Sequence, residues 1–436
     1  MRRCVLVVSG LVSACAAAGV APDGGGSGDN DGQMVVDAAR DNDGQIIMPD
    51  AFDPRKGWVD LGSPPAATSG DVSSPKLTFA ANGDPVVAYS ANQYVQVHRY
   101  ANDSSWMAVG SPLRHSTASN VVTYDPTPVL TADGLSVVWP EWSNGAMSSG
   151  VRREQNGSWV APPGAGVLGT PGAYCFLPHS TAAVDADGAM WIAYSETTDL
   201  NGQMRINVVS VLGSNVSVRG QSIAATTSNT NAIGPDVEIG GNSVFMTWHE
   251  NGVRLAKRNT TTGGWDAFAG SPFTVAGRAV SSQANGHLAV DPMGRPIIAF
   301  TSSNGTENGI YVGRYDGAAW NYWGEMVQAT PGTVANQSTH PYLYDIVAAG
   351  NDAVYIAWTE MNASTYEGVY VYKCTPQGCA AVGRGRLEAA AGNTPGSAPR
   401  LAIDAGGRPL VTWTEDDAQD TSKVHVWRYH GDPDVP

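Results

Sequence analysis

Five glutamates stand two residues beyond an aromatic: Glu141, Glu196, Glu250, Glu360 and Glu415 follow Trp139, Tyr194, Trp248, Trp358 and Trp413. Four histidines, His115, His179, His249 and His340, fall in or beside the same polar stretches, and Arg114 precedes the first of them. Carboxylates and imidazoles gathered on one surface can ligate a divalent cation, or supply an acid and a base. None of these histidines has the short H-x-x-x-H spacing of a compact metal motif, so only tertiary structure could gather them. A residue recurring at one site in five units also has a plainer use: it closes a strand end, accepting backbone N–H groups or pairing with a repeated arginine. Catalytic groups normally break a repeat, because one pocket needs one asymmetric set. By that criterion Arg114-His115, Cys175 with His179, His249 and His340 are the better clues. Each lone histidine also reads as a solvated or locally hydrogen-bonded loop residue. Cys175 and His179 lack an evident third group to orient them, which leaves a buried thiol as the simpler reading.

The elements that must position these residues follow from the aromatics. Tyr89, Trp139, Tyr194, Trp248, Phe300, Trp358 and Trp413 are spaced by 50, 55, 54, 52, 58 and 55 residues. Seven units at a steady period are the signature of a repeat architecture. Each aromatic ends a short apolar run that follows a glycine-containing turn, such as Asn82-Gly83 or Gly406-Gly407. A third run follows with the period of two of a half-buried strand, as in Val-x-Val-x-Arg-Tyr ending at Tyr100. A fourth gathers around Trp106, Trp159, Trp265 or Trp320, around Ala381 in unit six, and least clearly around 215–218 in unit three.

Four short strands per unit make one propeller blade. The seventh unit has three strands, ending near Tyr429, and the missing one is legible at 57–62. There Gly-Trp-Val-Asp-Leu-Gly-Ser matches the Trp and Gly-Ser positions of Ser-Trp-Met-Ala-Val-Gly-Ser at 105–111. The expected fold is all-β: a seven-bladed β-propeller of four-stranded blades, closed by an N-terminal strand that completes blade seven. Closure removes an open sheet edge, which a linear β-solenoid would not do. Meander topology then puts the two-to-three loops and the four-to-one crossovers on one face, with the tight glycine turns on the other. The loop-rich face carries the glutamates and histidines named above and is the expected ligand face. The tryptophans read as packing between blades.

Composition agrees. The 436 residues hold 51 Gly, 27 Pro and 13 Trp, which suits many turns between aromatic strands. The formal net charge of −15 argues against wrapping nucleic-acid phosphates and leaves cations and sugars open. Residues 1–14 read as a lipoprotein signal peptide: Arg2-Arg3, a short apolar core, then Val12-Ser13-Ala14-Cys15, which resembles a bacterial lipobox. Cys15 is the expected acylated residue, with Ala16 after it pointing by analogy to the outer membrane or cell surface. Ordinary secretory cleavage to the periplasm or medium is the alternative. Residues 15–56 read as a disordered acidic, Gly-rich tether. Its two Asp-Asn-Asp-Gly-Gln copies lack a complete EF-hand ligand set. Residues 57–432 form the propeller and 433–436 a tail. Export fits a disulfide between Cys374 and Cys379 across one hairpin of blade six.

The chain resembles the broad set of secreted or lipid-anchored bacterial seven-bladed propellers. The resemblance rests on repeats of the type D-x-x-G-x-P-x-V-A-W, seen from Asp291 to Phe300 and from Asp404 to Trp413. It is a resemblance of architecture alone. Sialidases carry S-x-D-x-G-x-T-W boxes; here Val184 to Trp191 reads VDADGAMW, without the leading Ser in register or the Thr, and no arginine triad carries over. The expected function is binding of a glycan, peptide or envelope protein through the loop-rich face, with the bilayer engaged through the acyl chain only. A glycoside hydrolase or lyase using acidic residues of that face is the alternative, an envelope scaffold a third. No cofactor is expected beyond a structural or ligand-bridging divalent cation.

Overall fold

The computed structural model describes residues 57–65, 72–102, 104–144, 146–164, 166–169, 180–197, 203–223, 230–273, 286–303, 308–329, 342–350, 352–361, 367–389, 395–416 and 421–431. Cys15, Cys175, His179 and His340 lie outside these residues, as do the signal, the tether and the tail. Strands sort into seven antiparallel sheets. Blade 1 is typical, running Val72–Phe79, Pro85–Ala91, Tyr94–Ala101, Ser105–Ala108 in chain order. The first strands of successive blades adjoin one another around an axis, and that of blade 7, Gly396–Ile403, adjoins that of blade 1. The protein is a closed seven-bladed β-propeller.

Second strands are buried along most of their length, and Pro85–Ala91 throughout, because they have a partner strand on each edge and a neighbouring blade on each face. Pro85, Pro296 and Pro409 each begin one, where a missing N–H costs little. Blade 2 departs from the pattern. Its innermost strand is split into Val122–Thr123 and Thr127–Thr131, and Val167–Leu168 adds to its third strand. The split has a local cause: Asp125 adopts a left-handed backbone and Pro126 after it cannot donate to the ladder.

Closure is supplied by Trp58–Asp60, which pairs antiparallel with Ser422–Tyr429 through Trp58↔Tyr429, Val59↔Arg428 and Asp60↔Trp427. Backbone bonds extend the pairing, from Gly57 N to Gly431 O at 2.7 Å and from Leu61 N to Val426 O at 2.9 Å.

The core is distributed among the seams. Each pair of adjacent blades shares its own cluster of buried apolar side chains, such as Leu61, Val72, Tyr89, Trp106, Leu410 and Val426 between blades 7 and 1. Outer-strand tryptophans lock these seams. Trp106, Trp159, Trp265, Trp320 and Trp58 each donate an indole N–H to a backbone carbonyl of the preceding blade, at 2.7–3.0 Å. The preceding blade must leave room for the ring. A Cβ on Gly110, itself at φ +63°, would lie 2.6 Å from the Trp159 indole nitrogen. The outer strand of blade 3, Asn215–Ile223, has no such tryptophan, and neither has that of blade 6. The outer hairpin of blade 6 carries the Cys374–Cys379 disulfide instead, with the Cys379 sulfur against Gly324 of blade 5.

Candidate functional site

The repeated glutamates come first. Glu141, Glu250, Glu360 and Glu415 are almost wholly buried. Each accepts the indole N–H of the tryptophan two residues before it, at 3.0, 3.0, 3.0 and 2.8 Å. An i, i+2 pair on a strand points to one face, so the tryptophan and glutamate meet without distortion. Each carboxylate also reaches the crossover arriving from the preceding blade. Glu141 accepts His115 N and Ser116 N at 2.9 and 2.7 Å, Glu360 accepts Ala329 N at 2.8 Å, and Glu415 accepts Ala389 N at 3.0 Å. Glu250 accepts the Thr230 hydroxyl at 3.2 Å. The W-x-E unit therefore ties each strand end to its neighbour, with charge-assisted bonds that compensate for burying the carboxylate. Blade 3 has a tyrosine in place of tryptophan, and Glu196 accepts the Asn207 amide at 2.6 Å.

The described histidines and Arg114 are dispersed. Arg114 lies over the Tyr94 ring at 4.7 Å. Burial, then the Arg254 charge, pushes the His249 imidazole below its ordinary value, against the pull of Glu250. His115 is the one that joins a cluster. Its Nε2 lies 2.7 Å from Ser148 Oγ, and its Nδ1 lies 3.2 Å from Glu141 Oε2. Burial pushes the Glu141 carboxyl up, but the nearby His115 imidazole, the Trp139 indole and the His115 backbone N–H outweigh it and hold the carboxyl below the ordinary range. Ser148–His115–Glu141 has the connectivity of a nucleophile, base and orienting carboxylate. The His115 Nδ1 contact is out of line for a hydrogen bond, however. No group of three or more metal-ligating side chains converges among the described residues.

A second polar concentration lies on the axis, and only the strand register reveals it. In every blade one first-strand residue pairs opposite the residue preceding the repeat aromatic. The seven are Lys76↔Ala88, Thr127↔Val138, Thr181↔Ala193, Asp236↔Thr247, His287↔Ala299, Asp345↔Ala357 and Arg400↔Thr412. They form one ring. Lys76 donates to Thr127 Oγ1 and Asp125 at 3.0 Å, Thr181 donates to Asp236 at 3.2 Å, and Arg400 lies 3.5 Å from Asp125. The two ring aspartates repeat a smaller device: Asp236 accepts Leu288 N at 3.0 Å and Asp345 accepts Leu401 N at 2.7 Å, each from the next blade.

Charge is unevenly spread around this ring. Lys76 and Arg400 both lie against Asp125, while Asp236 and Glu238 of blade 4 and Asp345 of blade 6 act on one another electrostatically. The surrounding wall encloses Asp236, although 22 % of its side chain stays accessible along the axis. Enclosure, reinforced by the Asp345 charge and opposed by the Leu288 amide, pushes Asp236 up to about 6. Glu238 is pushed well above the ordinary range by burial and both aspartates. Asp345 is raised by burial against the pull of Arg400. Glycine turns and aromatics give the repeat away, but first strands are weak in the sequence. The findable signal was one polar residue before an apolar run in each unit, as in Pro-Lys-Leu, Pro-Asp-Val and Pro-Arg-Leu.

No family model matches this chain, and no curated protein matches it. Solved structures give partial likenesses. The polysaccharide lyase Uly1 is 10% identical, with a TM-score of 0.49 over 84% of this chain and 90% of that one. A protein of unknown function from Dyadobacter fermentans is 12% identical, with a TM-score of 0.45 over 73% and 98%. The Aleuria aurantia lectin bound to Fucα1-6GlcNAc is 13% identical, with a TM-score of 0.39 over 72% and 97%. At these values none carries an argument about function, and the assignment as a seven-bladed propeller rests on the strand pairing above.

Proposed function

We propose that this protein is a ligand-binding propeller of the bacterial envelope, carried on an acylated Cys15, and that its axial ring holds a glycan. One observation carries the reading. The repeat places tryptophan and glutamate at the same scaffold sites in blade after blade, yet its ring position holds Lys, Thr, Thr, Asp, His, Asp and Arg. A single asymmetric ligand needs an asymmetric set of donors and acceptors. Hydroxyls, a carboxylate pair, an imidazole and two cations match a ligand rich in hydroxyl groups. The full chain should be screened against a glycan array, with peptide and envelope-protein pools alongside. The expected result is a glycan hit that Lys76→Ala and His287→Ala each weaken about tenfold, the loss of one charge-assisted or buried hydrogen bond. A hit indifferent to both substitutions would overturn the axial assignment. Labelled palmitate incorporation that disappears in Cys15→Ala tests the anchor.

A second reading, hydrolysis, is favoured by Ser148–His115–Glu141 rather than by the repeated glutamates, which are buried singly in separate blades. A fluorophosphonate probe would label Ser148 under that reading. An unlabelled chain, with His115 folded in place, excludes it.

A further inference from the structure

The tight-turn face, opposite the loops, holds a cleft of about 330 Å³ between blades 3 and 4. Its character comes from another break in the repeat. In blades 5 and 7 the turn aspartate caps its own turn and pairs with an arginine four residues on: Asp291 with Arg295 at 2.6 Å, Asp404 with Arg408 at 2.8 Å. In blade 3 the corresponding Asp185 is followed by Ala189, and its second oxygen accepts the Trp191 indole N–H instead, at 2.8 Å. The cations of this cleft come from the outer strand of blade 3, Asn215–Ile223, and from the end of the third strand of blade 4, Val253–Arg258. Arg219 lies over Trp191 at 5.3 Å and donates Nε to Ser210 at 2.7 Å. Arg258 lies against Trp265 at 6.0 Å and donates one terminal nitrogen to the Gly264 carbonyl at 3.1 Å.

Two guanidiniums are thus fixed in place, and neither makes an ion pair among the described residues. Other arginines of this acidic chain do, including Arg153, Arg314 and Arg400. Burial, then the Arg219 charge, lowers the Arg258 guanidinium from its ordinary value, as expected of two cations sharing one cleft. The exposed Asp187, Asn242 and Thr260 also line the cleft.

We propose that this cleft binds a uronate-type sugar: one carboxylate on a hydroxyl-bearing ring. The paired guanidiniums offer fork-shaped donors matched to a planar carboxylate. Asp187 accepts from sugar hydroxyls and repels a second negative charge, which disfavours sulfate, phosphate and polyacidic peptides. The site is separate from the axial ring and lies at the turns of blades 3 and 4.

Titration calorimetry of the full chain with oligogalacturonate, oligoglucuronate and oligomannuronate is the test, with a neutral oligogalactan, sodium sulfate and polyglutamate as comparison arms. At least one uronate should bind, with no binding of the neutral oligomer and weaker binding of sulfate and polyglutamate. Arg219→Gln and Arg258→Gln should each weaken the uronate about tenfold or more, and Arg219→Lys less, all with Tm close to the parent. The proposal is overturned if no uronate binds, if the neutral oligomer, sulfate or polyglutamate binds as tightly, or if the folded glutamine variants bind unchanged.

Discussion

At the scale of the residue, one side-chain type does unlike work according to its surroundings. Glu415 accepts from an indole and an amide, so it serves the scaffold. Glu415→Ala leaves the Trp413 indole and the Ala389 amide without their acceptor and should cost about 2–4 kcal/mol in denaturant unfolding. Glu415→Gln keeps one acceptor oxygen and should cost less. Asp236 behaves in the opposite way, since its folded carboxyl is raised to about 6. The unfolded chain releases that proton earlier, near the ordinary 3.8. Its contribution to stability is therefore full below about pH 4 and is lost as pH rises towards 6. His98, buried against Tyr89, is lowered to about 4 from 6.5, so its contribution is full above 6.5 and lost as pH falls towards 4. The two oppose each other in one window, and the parent curve alone conceals both. The Tm difference between parent and Asp236→Asn should shrink from pH 4 to 6, while that between parent and His98→Phe should grow. Parallel curves would contradict both assignments.

At the scale of the element, what the sequence made legible depended on how each strand is solvated. Second strands end in an aromatic and follow a glycine turn, so their period could be counted. Third strands alternate. First strands are enclosed at the axis, and the one position in each that faces its ring is occupied by a different polar residue from blade to blade, a pattern too irregular to see before the register is known. The positions of Glu141, Glu250, Glu360 and Glu415 were likewise plain from spacing. Their partners were not, because indole and crossover amide are brought together only by the next blade. The break in the inner strand of blade 2 was missed, although Asp125-Pro126 was there to signal it. Trp58–Asp60 is legible from its match to the outer strand at 105–111 and from the strand that the seventh unit lacks, and its role is testable. Removing 57–62 should lower Tm far more than removing 16–56, since the first deletion strips Tyr429 and Val382 of their partner Trp58 and exposes the edge of Ser422–Tyr429. Equal Tm values would contradict closure. Cys374→Ala with Cys379→Ala should cost only about 2 kcal/mol, because the loop they close is short.

At the scale of the whole molecule, the chain separates scaffold from specificity. Repeated residues hold the ring: aromatics fill seams, indoles reach back one blade, and glutamates pin the crossovers. The residues that differ from blade to blade lie on the axis and in the cleft between blades 3 and 4. Substitutions in the two classes should have distinct signatures. The most direct measurement is calorimetric Kd alongside Tm for the glycan selected by the array, comparing Lys76→Ala with Glu415→Gln. The account predicts that Lys76→Ala raises Kd about tenfold even where the protein is fully folded, whatever Tm it loses with the Asp125 pair, and that Glu415→Gln lowers Tm with Kd nearly unchanged where the protein is folded. The reverse pattern, or a Kd that follows Tm in both variants, would contradict it.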